Sequence, residues 1–194
     1  MMKSICVYCG SSTGSSEIYA AGARQLAASL VSHQLSLVYG GGNVGLMGVI
    51  ADEVLRLGGH VTGVIPQALM DKEVGHTQLS QLHIVRNMHE RKALMAELSD
   101  GFIAMPGGIG TLEELFEMFT WLQLGFHKKP LGLLNIDGFY DSLILFLQQT
   151  VQKKFLQEQH LDMLIIESDP DKLLQRFENF TPPHLNKWLD KEDI

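Results

Sequence analysis

Along the chain, short runs that are apolar almost throughout alternate with longer stretches whose apolar positions recur every three or four residues. The short runs are residues 4–10 (SICVYCG), 35–42 (LSLVYGGG), 60–66 (HVTGVIP), 82–87 (LHIVRN), 101–108 (GFIAMPGG), 130–136 (PLGLLNI) and 163–168 (MLIIES). The periodic stretches predict helices over 16–32, 45–57, 88–98, 111–124, 139–155 and 170–178, with an irregular segment at 66–81. A strand with no polar side needs cover on both faces. Helices between successive strands supply it and keep the strands parallel. The pattern therefore predicts an α/β fold: a single-domain doubly wound, Rossmann-like parallel sheet with helices on both faces, spanning 1–180. A polar C-terminal tail follows at 181–194 (TPPHLNKWLDKEDI).

Ligands of such sheets bind beyond the carboxyl ends of the strands, and every glycine cluster of this chain falls there. CGSSTGSS (9–16), GGGNVGLMG (40–48) and PGGIGT (106–111) each follow a strand and precede a helix. The glycines of the second, Gly42 among them, either permit tight turns and close helix–strand packing or form part of the floor of a mononucleotide pocket, and Ser12 of the first is expected to contact the substrate. GGGNVG also matches the dinucleotide fingerprint G-x-G-x-x-G, but the next strand ends without the acid that would hold a ribose. In PGGIGT the bare backbone of Gly107, Gly108 and Gly110 lets an anion approach the free N–H groups of a helix start, where Thr111 adds a hydroxyl.

Two charged positions stand out. Glu114 follows that loop in TLEE, which reads either as a capping box closed by Thr111 or as a carboxylate at the pocket mouth. Arg91 lies inside the stripe Met88, Met95, Leu98. It either faces inward to a carboxylate or phosphate, or snorkels out to water. Lys92 on the adjoining flank reads as a solvated charge. Met118, Trp121 and Leu124 make the later turns of the 111–124 helix apolar nearly all round, which predicts burial or a homodimer face.

Composition narrows the class. A net charge of −7 in 194 residues argues against nucleic acid or a membrane surface as partner, and 45% hydrophobic content argues against disorder. The chain opens without a signal-peptide pattern and holds no apolar stretch of membrane-spanning length, so a cytoplasmic location is expected. Cys6 and Cys9 form C-x-x-C, but Cys6 falls within a strand, which favours packing over redox chemistry. The eight histidines show no metal-ligand spacing, so no metal site is expected.

At MHERK (88–92), PGGIGTLEE (106–114) and TWLQLG (120–125), the sequence resembles the LONELY GUY family of cytokinin riboside 5′-monophosphate phosphoribohydrolases, many of which carry a lysine decarboxylase-like label. The likeness extends through CVYCGSS, YGGGNVGLMG and KPLGLLNIDGFYD and covers roughly residues 3–178 in order. Ile109 stands where the family often has an aromatic residue, and QKKFL (152–156) replaces a glycine-containing stretch. The resemblance implies hydrolysis of the N-glycosidic bond of a nucleoside 5′-monophosphate, AMP or an N6-substituted analogue, to free base and ribose 5-phosphate, with no cofactor. It implies that Arg91 and Glu114 are catalytic. It also implies substrate contacts at Glu73, Arg91, Lys92, Gly108, Ile109, Gly110, Thr111, Glu113, Glu114 and Thr120. No residue stands out as the acid for the departing base. The alternative is a non-catalytic nucleotide-binding or sensing protein of the same fold. A pyridoxal-dependent decarboxylase would need a lysine and acid constellation that the sequence does not set out.

Overall fold

The computed structural model describes residues 2–72 and 75–182. Seven strands, β1 (Ser4–Tyr8), β2 (Ser36–Tyr39), β3 (Val61–Pro66), β4 (Gln81–Val85), β5 (Gly101–Ala104), β6 (Leu131–Leu134) and β7 (Leu164–Glu167), form one parallel sheet in the order β4-β3-β2-β1-β5-β6-β7. The chain builds outward from β1 as far as β4, returns to the other side of β1, and builds outward again. The order thus reverses between β1 and β5, where a doubly wound sheet opens its crevice.

Neighbouring residues of β1 feed opposite cores because side chains alternate across a strand. Ile5 and Val7 pack with α1 (Glu17–Ser32), α2 (Gly45–Arg56) and α8 (Pro170–Glu178). Cys6 and Tyr8 pack with α4 (Met88–Glu97), α5 (Ile109–Leu124) and α6 (Asp141–Gln152). Leu115 and Leu131, fully buried in the second core, each contribute about 2 kcal/mol by leaving water. All seven expected strands and all six expected helices form, and the doubly wound parallel sheet holds.

The differences are local. The stretch expected to be irregular carries a one-turn helix, α3 (Gln67–Met70), and another, α7 (Glu158–Leu161), precedes β7. The helix expected over 139–155 is shorter: a 3-10 turn (Ile136–Gly138) with Asp137 at φ 52° precedes α6, and Lys154 at φ 64° follows its end. α5 begins two residues earlier than its sequence suggests. Met118 is buried in its own chain's core, so it offers nothing to a partner, while Trp121 and Leu124 are half-buried. Cys6 and Cys9 are free and buried in different cores; burial pushes the Cys6 thiol up to about 12 and raises Cys9 as well. The packing reading of C-x-x-C holds. Of the polar tail, residues 183–194 lie outside the described part, as does Glu73.

Candidate active site

Three loops meet over β1 and β5. Gly10 donates its N–H to Pro106 O at 3.0 Å, and Leu46 donates to Gly10 O at 3.0 Å, so the segments after β1, β2 and β5 are stitched together. Gly45, at φ 59°, lies against the Ser11 backbone where a Cβ would collide. A Cβ on Gly107 would stand on Thr111 Oγ1 and 2.9 Å from Gly10 N. Beside these contacts opens a cleft of about 270 Å³, lined by Gly10–Gly14, Gly107, Gly108, Leu46, Tyr19 and Phe139. Tyr19 and Phe139 meet edge to face, with centroids 5.8 Å apart.

α5 starts at this cleft. Its cap is Gly108 in an extended conformation, and no side chain caps the helix. The capping box that TLEE suggested does not form, because Thr111 sits inside the first turn, buried against Gly107. The helix therefore presents free N–H groups and the positive end of its dipole to the cleft. A Cβ at Gly108 or Gly110 would meet nothing, so this rim is open.

One turn further on, Glu114 faces Arg91 of α4. Arg91 Nη1 donates to Glu114 Oε1 at 2.5 Å, and Arg91 Nε donates to Val64 O at 3.2 Å. The two side chains are only 10% and 12% exposed, so the inward reading of Arg91 holds and snorkelling is excluded. Gly40 makes room for this: a Cβ there would occupy the place of Arg91 Nη2. Burial pushes the Glu114 carboxyl above the ordinary 4.5, and Arg91 pulls it back only in part.

Lys92, expected to be solvated, is instead clamped between Glu113 Oε1 at 2.6 Å and Glu117 Oε1 at 2.9 Å, tying α4 to α5. Burial lowers its pKa, but the two carboxylates outweigh burial and leave the amine above its ordinary value.

The family model described as "Possible lysine decarboxylase" matches residues 47–177. Cytokinin riboside 5′-monophosphate phosphoribohydrolase LOG5 of Arabidopsis thaliana is 47% identical over 93% of this chain and 79% of its own length. LOG1 of the same plant is 46% identical over 94% of this chain and 85% of its own. The chain belongs to the LONELY GUY family. Solved structures sharing the fold include a molybdenum cofactor binding protein from Rippkaea orientalis, with TM-score 0.68 and 20% identity over 92% of this chain and 97% of that one. A Moco carrier protein from Chlamydomonas reinhardtii has TM-score 0.69 at 17% identity, over 92% and 97%.

Not every residue implied by LONELY GUY membership gathers at the Arg91–Glu114 pair. Glu73 falls outside the described residues. Thr120 is exposed two turns down α5 from Glu113, and its hydroxyl donates to Phe116 O at 2.7 Å. Ile109, 82% exposed, projects from the first position of α5. Ser12 is exposed on the cleft wall, accepting from Gly14 N at 3.2 Å, and Gly42 is buried in an antiparallel bridge to Gly75. Sequence reasoning missed Gly40 and the Val64 carbonyl as supports for Arg91, and Glu117 as a partner of Lys92. The helical spacing of Glu113 and Glu117 was the one available signal.

The decarboxylase description of the matching family model would imply pyridoxal phosphate. That chemistry needs a lysine amine free to form a Schiff base. Lys92, the lysine adjoining the pair, does not fit, since two carboxylates hold it protonated. Among the described residues no group of three or more His, Cys, Asp or Glu side chains could hold a metal, and no helix is long and apolar enough to cross a membrane.

Proposed function

We propose that this protein hydrolyses the N-glycosidic bond of cytokinin riboside 5′-monophosphates, N6-substituted relatives of AMP, releasing the base and ribose 5-phosphate. The observation that carries the reading is the buried Glu114 carboxylate held by Arg91 one turn beyond the uncapped start of α5. The free N–H groups of that start, with the bare rim of Gly107, Gly108 and Gly110, bind the 5′-phosphate. Fixing the remote phosphate places the ribose over Glu114.

As the bond from C1′ to the base nitrogen breaks, positive charge develops on the ribose ring. The Glu114 carboxylate stabilises that charge. Water adds to C1′; one of its protons passes to Glu114, whose burial raises its proton affinity, while the base leaves with the bonding electron pair and takes up a proton from solvent, to which Glu114 afterwards releases its own. Arg91 cannot act as a base; it orients Glu114 and contacts the ligand. Lys92 holds α4 against α5 through Glu113 and Glu117, which fixes the distance between the two catalytic groups. Ser12, Gly42, Ile109, Thr111 and Thr120 are assigned to the surrounding substrate wall, and Glu73 is assigned a substrate contact on family membership alone. Burying a carboxylate beside a phosphate site would only weaken a pure nucleotide carrier, which favours the enzyme over the sensing reading.

The enzyme works in the cytoplasm as a homodimer, with Trp121 and Leu124 at the partner face in place of the buried Met118. The test is incubation of the purified protein with AMP, N6-isopentenyl-AMP, the matching nucleosides and lysine. Ribose 5-phosphate and free base are expected from the monophosphates alone; release of carbon dioxide from lysine, or no product at all, overturns the reading.

A further inference from the structure

The Arg91–Glu114 pair has a different neighbour on each side along the carboxyl edge of the sheet. The cleft and the free end of α5 lie over β1 and β5. Arg91 reaches instead to Gly40 after β2 and to Val64 of β3. If the phosphate sits at the α5 start and the sugar at Glu114, the base extends over β2 and β3.

That ground is covered by residues 75–78. Gly75 bridges Gly42, and His76 N–H donates to Gly41 O at 2.8 Å, both within the stretch that also seats Arg91. The His76 ring lies under this cover, 3% exposed. Its Nδ1 accepts the Gln78 N–H at 3.1 Å, so the hydrogen of the neutral ring must be on Nε2. Nε2 lies 2.9 Å from Asp52 Oδ1 of α2 and donates to it. Both ring nitrogens are thereby used, and His76 has none to offer a substrate. Asp52 is 67% exposed, so it fills no core space.

We infer that Asp52 and His76 are positioning residues: the neutral imidazole, fixed in one tautomer, bolts residues 75–78 to α2 through Asp52 while their backbone bonds hold the Gly41–Gly42 stretch, and the segment so fixed makes the wall against which the base of the nucleotide rests. This rests on the nucleotide reading above. The polar chain runs from α2 through Asp52, His76 and the Gly41 carbonyl to the glycines beneath Arg91. Loss of the Asp52 acceptor frees the ring to change tautomer, which breaks the Gln78 bond and loosens the wall.

The experiment compares wild type, Asp52→Ala and Asp52→Asn in the full chain. It measures kcat and KM for AMP, inhibition by ribose 5-phosphate, and the ¹⁵N spectrum of the imidazoles. Asp52→Ala is expected to raise KM about tenfold with little change in kcat, since a wall remote from the breaking bond contributes equally to binding of substrate and transition state. The inhibition constant of ribose 5-phosphate, which has no base, should not move. Asp52→Asn keeps an oxygen acceptor for Nε2–H and should restore both KM and the single-tautomer spectrum. An unmoved KM in Asp52→Ala overturns the inference, as does equal weakening of ribose 5-phosphate, or identical behaviour of the Ala and Asn variants. If wild type releases no ribose 5-phosphate from AMP, the proposed function and the base wall fail together.

Discussion

At the scale of single residues, Glu114 carries opposed demands: burial disfavours its charge and Arg91 favours it. Replacing it by Gln keeps the shape and removes the charge. Turnover of AMP is expected to fall about 10²–10³-fold, as when a preorganised electrostatic group is lost. Full activity in that variant would reject the assignment. Because the folded-state pKa is raised, the protonated form is the one folding favours. The contribution to stability is complete below the ordinary 4.5 and is lost as pH rises through the raised value. Wild type should therefore lose Tm relative to Glu114→Gln as pH climbs from below 4.5 through the raised value. Thermal melts across that range check the sign. Arg91→Ala strands a buried carboxylate and should cost about 3–5 kcal/mol in denaturant unfolding. Arg91→Lys should not restore activity, because a single ammonium replaces a fork that reaches both Glu114 and the Val64 carbonyl.

At the scale of elements, the glycine loops separate steric need from chemical need. A methyl at Gly40 would displace the Arg91 guanidinium, so Gly40→Ala should behave like an Arg91 variant although it touches no substrate. A methyl at Gly108 meets nothing within the protein. Gly108→Ala should leave Tm where it is and raise KM for AMP, because only a ligand lying against the backbone would notice it. Steady-state kinetics beside a melt separates the two. An unchanged KM would remove the phosphate from the α5 start. α5 also shows why its boundary was misread from sequence. T-x-x-E imitates a capping box, yet the helix begins at Ile109 with Gly108 as its cap, which leaves the N–H groups free and turns Glu114 toward α4.

At the scale of the whole molecule, a ligand that binds the folded chain alone must stabilise it. Ribose 5-phosphate at about 100 times its Kd should add about 2.7 kcal/mol to unfolding, and the gain should vanish with ribose, which lacks the phosphate. Sedimentation at micromolar concentration should find a dimer; a monomer would leave Trp121 and Leu124 with no partner role. The sequence by itself determined the parallel sheet and the edge of it where the glycine loops gather. Apolar runs such as SICVYCG and GFIAMPGG must be buried on both faces, and each glycine cluster follows such a run and precedes a helical period, so local period and composition were enough. It also marked Arg91 and Glu114 as charges in odd places. What it could not determine was which way they point, or that Lys92 lies between Glu113 and Glu117, Gly40 under Arg91, and His76 against Asp52. Those contacts join residues 21 to 51 positions apart or lie between different helices, and no local periodicity encodes a distance set by how strands order in a sheet. Only the tertiary structure decided them, because only packing sets which buried charge finds which partner.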